Sequence, residues 1–381
     1  MDPDHSKPAR TVGSALLGAA IGLAASPSVV AEALPERGSI SFRYLDYVDR
    51  QTDLERIRIA APAVMITAPV AGAWLIDGSF VSDAVSGASP AYHTVARSAA
   101  KITDRRDAVS AGVTRYWPWG TLKVGAAYST ESDYVSRALS ALGSVSSDDK
   151  NTTVNFGIGA THDVINPVNK RTVDGTKATY EATAGVTQVL TPVDLVQLSL
   201  SFAQGRGYFS DPYKLLDERP RQRGQSVAMA RWNHHFDSIE GTSRLSYRYY
   251  TDTWNVKAHT LTLEYVQFFA HGWTLTPQLR FHSQGAARFY RDVNPAAPTR
   301  ISVPPGYEPG VTELSFDQRL SAFGARTFGL KIGKQINADW QVDVKLEHYE
   351  QRGGGHLGSS GSPGLAPFSA RTVQAGFTRQ F

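Results

Sequence analysis

The last ten residues, Thr372–Phe381, alternate between apolar and polar side chains. One face carries Val373, Ala375, Phe377 and Phe381, and the other carries Thr372, Gln374, Gly376, Thr378 and Gln380. A period of two residues is that of a β-strand, because successive side chains of a strand point to opposite faces. The same rhythm recurs along most of the chain, between short turns and long polar loops. This pattern is typical of a membrane β-barrel.

The closing strand of such a barrel must pair with the first strand. An open edge in lipid would leave backbone N–H and C=O groups without hydrogen bonds. A chain that ends on Phe within this strand also resembles the C-terminal signature by which bacterial outer-membrane barrels are recognised for assembly. We therefore predict Phe377 and Phe381 as an assembly signal and the barrel-assembly machinery as a partner. The alternative is an ordinary closing strand of a soluble all-β domain.

Composition narrows the class of protein. Hydrophobic residues make up 41% of the 381 residues, and no run of ~20 apolar residues follows the N-terminal segment, so the sequence predicts no transmembrane helix. The absence of cysteine excludes disulfides, thiolate metal sites and covalent haem attachment. The formal net charge is +4 without a long Lys/Arg run, which argues against a nucleic-acid partner. We predict no cofactor and no metal.

Residues 1–33 have the pattern of a secretory signal peptide. Lys7 and Arg10 precede an apolar stretch, Val12–Ala25, that is too short to anchor the chain in a membrane. Cleavage is expected after Ala31 or Ala33. The prediction is therefore export to the bacterial outer membrane, with residues 34–381 forming a single barrel domain that contacts outer-membrane lipids.

The alternation predicts about sixteen antiparallel strands, within a range of roughly 14 to 18. An even number places both chain ends on one side of the membrane, and treating Tyr134–Ser146 as a strand gives that parity. The predicted strands are Ser39–Val48, Leu54–Ala68, Ala71–Ser82, Asp104–Trp117, Thr121–Thr130, Tyr134–Ser146, Thr152–Asp163, Ala178–Leu190, Leu195–Gln204, Gln225–Phe236, Thr242–Tyr250, Ala258–Phe269, Trp273–Gln284, Ala322–Lys334, Asp339–Gln351 and Thr372–Phe381.

The connections between these strands alternate in length, short and then long, almost without exception. In outer-membrane barrels the short turns face the periplasm and the long loops face the outside. Tryptophans beside the short turns predict an interfacial aromatic belt, formed by Trp117, Trp119, Trp273 and Trp340. Pro62 lacks a backbone N–H, so we predict a bulge or a local break in the second strand.

Several motifs resemble a family of uncharacterised bacterial outer-membrane β-barrel proteins. They are Ser86, Gly87, Ala88, Ser89 and Pro90 (SGASP), the segments Tyr128–Tyr134, Asp149–Thr153, Arg248–Trp254 and His259–Leu263, and a GY-x-SDPYK motif that ends in Ser210, Asp211, Pro212, Tyr213 and Lys214. Leu is usual in that family where Phe209 stands here. The resemblance implies a large single-chain barrel without an assigned activity. From the residues themselves we predict an ordered loop at Gly207–Lys214, which either folds inward as a constriction or caps the rim.

Strand parity also predicts which charged side chains face the lumen. The predicted bases are Lys123, Arg231, Arg244, Arg248, Arg280, Lys331 and Lys345, and the predicted acids are Glu181, Glu264, Asp343 and Glu347. The excess of bases favours a pore selective for anions, because rings of charge set selectivity in channels. The alternative is that these charges pair across neighbouring strands and rigidify the wall.

Three hypotheses for function follow from these patterns. The first is a porin-like passage for small solutes, with a preference for anions. The second is a non-conducting barrel that serves as a structural partner for exported or surface proteins. The third is a barrel hydrolase with an outward Ser and His, but the sequence has no nucleophile motif in a helical or turn context, so we predict that the chain is not an enzyme.

Overall fold

The computed structural model describes residues 33–51, 54–87, 102–170, 172–214, 216–294, 296 and 303–381. Within them the chain forms one closed barrel in which each strand pairs antiparallel with its two neighbours in sequence, and the last strand pairs with the first. The predicted all-β barrel is confirmed. The predicted signal segment, residues 1–33, lies almost entirely outside the described residues and stays a prediction. No helix in the described ranges is long and apolar enough to cross a bilayer.

The barrel has sixteen strands of 11 to 17 residues. They are β1 (Ser39–Gln51), β2 (Leu54–Val70), β3 (Trp74–Gly87), β4 (Ile102–Trp117), β5 (Gly120–Thr130), β6 (Tyr134–Ser146), β7 (Thr152–Ile165), β8 (Gly175–Thr191), β9 (Asp194–Gly207), β10 (Gln222–Phe236), β11 (Gly241–Asp252), β12 (Lys257–Phe269), β13 (Trp273–Gln284), β14 (Phe323–Gln335), β15 (Trp340–Arg352) and β16 (Phe368–Gln380). Four short 3-10 turns lie at Asp237–Ile239, Ala270–Gly272, Gln318–Leu320 and Gly353–Gly355.

The closing seam joins β1 to β16 over their full length, from Ser39 opposite Gln380 to Gln51 opposite Phe368. Ser41 and Thr378 face each other across it with their hydroxyl oxygens 2.8 Å apart. Gly38 and Phe381 exchange backbone hydrogen bonds of 3.0 Å just beyond the paired strands. The seam therefore leaves no open strand edge, as a barrel in lipid requires.

Most predicted strand boundaries agree with the structure to within a few residues, and Tyr134–Ser146 and Trp273–Gln284 agree at both ends. The main difference is β3, which begins at Trp74 and not at Ala71 and ends at Gly87 and not at Ser82. Ala71 has a φ of 51° and Gly72 a φ of 67°, so these residues form a tight turn in the left-handed region and cannot extend the strand.

The predicted bulge or local break at Pro62 is a local break in the β2–β3 pairing and not a bulge. The β2–β3 register is the same on both sides of the proline, although the paired positions are interrupted at Ala61 and Pro62. The bulge in β2 lies instead where Arg56 is an extra residue, at the Asp49/Arg50 step of the β1–β2 pairing. There the Arg56 Nε lies 3.9 Å from Asp49, and the guanidinium lies 5.4 Å from the centre of the Phe368 ring.

The outer face of the barrel is apolar along its middle. One continuous row of paired residues runs through exposed Ile76, Val113 and Val124 on β3, β4 and β5 and continues through Ala141 on β6 to exposed Ile158 on β7. The alternate residues of the same strands form the inner face. A soluble sheet would bury such side chains, whereas a barrel exposes them to lipid.

An aromatic belt circles the end of the barrel at which the chain begins and finishes. Trp119, Trp273 and Trp340 are all exposed there, as predicted, and Trp117 stacks on Trp119 at 5.4 Å. The belt also includes Trp74 and Trp232, which were not among the predicted belt residues. Bases lie over several of these rings: Arg115 over Trp74, Lys334 over Trp273 and Arg379 over Trp340.

Connections at the belt end are all short, between two and five residues. The opposite end carries the long loops, but three of its eight connections are also short: residues 52–53, 131–133 and 253–256. The predicted near-perfect alternation of short and long connections is therefore wrong at these three positions. The other connections at this end have nine to 38 residues, so the two ends still differ strongly.

This asymmetry predicts the orientation of the barrel, with the belt end in the periplasm. Asn337 in the β14–β15 turn and Gly358 in the β15–β16 loop are both exposed. Because exposed turns accept insertions, we expect both positions to tolerate an epitope tag. We expect antibodies applied to intact cells to label the tag at Gly358 and not the tag at Asn337. Labelling at Asn337 alone would reverse the orientation.

Candidate functional site: the lumen and its lid

A row of small side chains crosses the inner wall formed by β3 to β9. One row of paired, inward-facing positions runs through Ser79, Ser110, Ala127, Ala138, Thr161, Thr179 and Gly205. Glu181, on the next row, faces inward and is exposed to solvent. A sixteen-strand barrel is wide enough to enclose an aqueous channel. Because the residues of this row are small, they leave room in the lumen for the longer side chains of the opposite wall.

Four arginines without an ion pair among the described residues face the lumen from the wall formed by β10 to β13, and a fifth, Arg223 near the mouth, binds Asp252 at 2.7 Å. Arg231 and Arg280 share one row, with Ser246 and Thr262 between them, so strand spacing places their backbones ~14 Å apart. Arg248 and Arg244 flank that row on β11. We call these four residues the arginine wall. The sequence placed all four on the inner face, and the strand pairing agrees.

The described residues contain no ion pair to any of the four arginines. Arg248 lies 5.5 Å from the centre of the Tyr250 ring, and Arg280 hydrogen-bonds to Gln278 at 3.0 Å when the Gln278 amide is oriented to satisfy both of its neighbours. Arg244 is exposed and has Glu264 as its cross-strand neighbour. Apart from the Arg223–Asp252 pair, these four bases meet one inward acid on β10 to β13, Glu264.

The other inward bases predicted from the sequence are paired. Lys123 lies 2.7 Å from Asp77, and Lys345 lies 3.0 Å from Glu347 on its own strand. Asp343 accepts from Arg43 at 3.3 Å and lies 3.8 Å from Lys331. Lys331 and Asp343 lie on neighbouring strands, as the pairing alternative predicted, whereas Lys123 reaches Asp77 two strands away and Lys345 pairs within its own strand. The inward residues Asp77 and Arg43 were not in the predicted set.

The described residues of three long loops pack together over the mouth opposite the belt. They are residues 208–221, 285–322 and 353–367, and we call them the lid. Phe209 lies against the inner wall, since a Cβ built on Gly205 would meet its ring at 2.7 Å. Gln284, an inward residue at the end of β13, donates to the carbonyls of Arg319 and Ser321 at 3.0 Å. The lid therefore bends inward over the lumen.

Residues of the GY-x-SDPYK motif attach the first lid loop to its surroundings. The Phe209 ring packs edge-on against the buried Trp254 at 5.5 Å. Ser210 Oγ accepts from the Arg219 backbone N–H, and the Pro212 carbonyl accepts from Asn169. Tyr213 donates its hydroxyl to Asp133 in the β5–β6 turn. The motif residues thus hold the predicted ordered loop against the β5–β6, β7–β8 and β11–β12 connections.

A buried ionic network links the first lid loop to the second. Arg219 binds Asp217 and Asp317 at 2.8 Å each, and Arg319 binds Asp317 and also Asp211 at 2.9 Å. The side chain of Asp317 is fully buried. Lys214 completes a set of three acids and three bases. Burial alone would raise the pKa of Asp317, but Arg319, Lys214 and Arg219 outweigh it and hold that pKa well below its usual value.

The remaining motif, SGASP, contributes little to the described structure. Ser86 and Gly87 end β3, while Ala88, Ser89 and Pro90 lie outside the described residues. The predicted assembly residues lie at the seam. Phe377 faces outward and stacks on Phe42 at 5.5 Å, and Phe381 follows β16 and is exposed.

An acidic cluster lies at the rim below the lid. Carboxylate oxygens of Asp104, Glu131 and Asp133 lie within 4.8 Å of one another, so each could offer one ligand atom to a cation. Burial, opposed by Arg106 and reinforced by Asp104 and Asp133, raises the pKa of Glu131 to about 7. Burial also raises the pKa of Asp133, although the Tyr213 hydroxyl lowers it. We assign no ion to this cluster, because Asp133 is already bound to the lid.

The chain matches a family described as "Protein of unknown function (DUF3570)" over residues 92–176 and 169–375. It belongs to this family. The match confirms the resemblance to an uncharacterised barrel family and covers both the lid and the arginine wall. No curated protein matches the chain.

Among solved structures, the chain is similar to one described as a bacterial polysaccharide outer membrane secretin, with 10% identity and a TM-score of 0.51 over 90% of this chain and 98% of that one. It is also similar to a BenF-like porin from Pseudomonas fluorescens Pf-5 (7% identity, TM-score 0.47, 91% and 98% covered). A siderophore receptor, PirA from Pseudomonas aeruginosa, gives 9% identity and a TM-score of 0.45, and the match covers 84% of this chain but 57% of the receptor. At these identities the likeness concerns the fold alone.

The ionic network predicts that lid docking depends on Arg319. Replacing it in Arg319→Met leaves the buried Asp317 with one fewer partner, at a cost of ~3–5 kcal/mol for a broken buried pair. We expect faster amide hydrogen exchange in residues 208–214 and 303–322, with the strands unchanged. The control is Arg326→Met, which removes an outward arginine that pairs with Glu350 at 2.6 Å. Equal exchange in both variants would show that the network does not hold the lid.

The raised pKa of Glu131 predicts a pH-dependent rim. The folded-state pKa of Glu131, about 7, lies above the usual glutamate value of 4.5, so the folded state loses stability as pH rises between these values. We expect Glu131→Gln to protect the β5–β6 turn from exchange at pH 8 and to have no effect at pH 4. Glu240→Gln, in an exposed belt-end turn, is the control. Equal protection by Glu131→Gln at both pH values would contradict a raised pKa of Glu131.

Proposed function

We propose that this chain is an outer-membrane barrel that passes small solutes and favours anionic ones, with the arginine wall as its selectivity element. The proposal includes export by the N-terminal signal and a passive role without catalysis. The observation that carries it is the set of four lumen-facing arginines that have no ion pair in the described part of the chain.

Charge and space both support this function. In water an exposed charge interacts with a passing ion by ~1 kcal/mol at 4 Å, so several such charges in one lumen change ion occupancy by a substantial factor. The small residues on the β3–β9 wall leave room for a solute beside the arginines. Arg244 and Glu181 are exposed although they face inward, which supports a lumen that water can enter.

The lid favours the second hypothesis, a barrel that does not conduct and serves as a structural partner. Its ionic network is buried and its hydrophobic contacts include Trp254, Phe289 and Leu320, all of which are at most 4% exposed. A solute would have to pass beside or through this packing. The two hypotheses therefore differ in one property, the conductance of the intact protein, and a search for crosslinked surface or periplasmic proteins tests the second directly.

The arginine wall predicts a change in selectivity on charge removal. We expect Arg248→Gln with Arg280→Gln to lower the anion-to-cation permeability ratio by roughly 2- to 5-fold, which corresponds to about 0.5–1 kcal/mol. The measurement is the reversal potential of refolded protein in a planar bilayer under a KCl gradient.

The matched control replaces two outward arginines, Arg137→Gln with Arg206→Gln, and removes the same charge from the lipid-facing side. This control should keep the original reversal potential. Identical reversal potentials in all three proteins would mean that the arginine wall does not set selectivity.

A further inference from the structure

The outer face of the barrel changes from apolar to basic at the closing seam. On β16 the outward residues Phe377 and Val373 are exposed and apolar, and the next outward residue toward the lid is Arg371. Arg371 lies eight residues from Arg379, whose guanidinium covers the belt residue Trp340. Eight residues span ~26 Å along a strand, or ~20 Å after a tilt of ~40°. Arg371 therefore lies at the far edge of the apolar band.

Further arginines surround this position. One outward row runs from Arg58 on β2 through Val48 to Arg371 and then His348 on β15. Arg50, one row nearer the lid, lies diagonally across from Arg371. Strand geometry places the backbones of Arg50, Arg58 and Arg371 ~8–10 Å from one another, and all three side chains are exposed. Their guanidinium groups can reach a common point above the apolar band. We call these three arginines the seam patch.

Acids near the seam patch do not neutralise it. Asp46 binds Arg58 at 2.7 Å, and Glu350 is shared by Arg326 at 2.6 Å, His348 at 3.2 Å and Arg352 at 3.9 Å.

Glu55 is the cross-strand neighbour of Arg50. The ion pairs found among the described residues include none to Arg50 or Arg371. Five arginines thus face three acids, and the excess charge lies over Arg50 and Arg371.

We propose that the seam patch binds the phosphate of a phosphorylated glycolipid in the outer leaflet. Arginine matches phosphate geometry with paired N–H donors, and such contacts are stronger than neutral hydrogen bonds. The apolar band directly below, including Tyr44 and Val373, receives the acyl chains of the same lipid. The proposal rests on the outer-membrane location proposed above and not on conduction through the lumen.

A free phosphate can occupy only the arginine half of this site, because it has no acyl chains to contact the apolar half. An inorganic anion would gain only the arginine contacts, whereas a glycolipid also places its chains along the exposed residues of β1 and β16. The seam patch therefore discriminates a lipid headgroup from a soluble anion by the apolar surface beneath it, since buried apolar area adds binding energy in proportion to its size.

The test uses the full-length refolded barrel in detergent and native mass spectrometry. The probe is a bisphosphorylated lipid A glycolipid, compared with its dephosphorylated form and with free pyrophosphate. We expect the wild-type barrel to retain one phosphorylated lipid and to bind the dephosphorylated lipid at least tenfold more weakly. Pyrophosphate at equal concentration should neither bind nor displace the lipid. Equal binding of the two lipids, or displacement by pyrophosphate, would overturn the proposal.

Two double variants locate the site. Arg50→Gln with Arg371→Gln should weaken lipid binding about 30-fold, as expected for two arginines beside an anionic headgroup. The control, Arg137→Gln with Arg206→Gln, removes two outward arginines whose strands lie three apart, and should change binding less than about twofold. An equal loss in both variants would contradict a site at the seam.

Folding of each variant is checked first by its resistance to SDS at room temperature. Because all four substituted side chains are exposed, we expect both double variants to keep this resistance. If the double seam variant fails the check, the single variant Arg371→Gln replaces it, and we expect a loss of about fivefold. Wild-type binding by this single variant would also overturn the proposal.

Discussion

Backbone hydrogen bonding across the closing seam is the constraint on which the rest of the structure depends. A sheet in lipid cannot keep an open edge, so β1 and β16 must meet in one register along their whole length. That register also fixes which side of every strand faces lipid, because a slip of one residue would exchange the two faces. The arginine wall on the inside and the seam patch on the outside are both consequences of this one register.

The sequence was sufficient to predict the faces of the strands. Alternation with a period of two needs no tertiary contact, and it placed Arg231 and Arg248 correctly on the inner face. It also identified Tyr134–Ser146 as a strand by parity, although the apolar alternation of this segment is weak. These predictions succeed because closure imposes the same local rule on every strand of the barrel.

Contacts between residues far apart in sequence could not be predicted from the alternation. Arg319 meets Asp211 across 108 positions in sequence, and Tyr213 meets Asp133 across 80. Asp77 was missed as the partner of Lys123 because it lies on β3, two strands away from β5. The bulge at Arg56 was also missed, because this charged residue beside Asp49 does not visibly change the apolar–polar alternation of β2. The motif residues of the first lid loop were recognised as a pattern, but their role in docking became apparent only from the packing of the lid.

The lid and the arginine wall make opposite demands on the molecule. A buried network with three acids and three bases holds two loops over the mouth, while the lumen below is lined by small residues and by arginines without ion pairs. A passage and a closed structural barrel are both compatible with each feature taken alone. An arginine without an ion pair is costly to bury but not to expose to water, so four such arginines favour a water-filled lumen and therefore a conducting barrel.

Single-channel recording of the refolded wild-type protein in planar bilayers tests this claim most directly. Protein shown to be folded by its resistance to SDS should give discrete conductance steps with a reversal potential that favours anions. Folded protein that gives no steps, or steps that favour cations, would contradict the account.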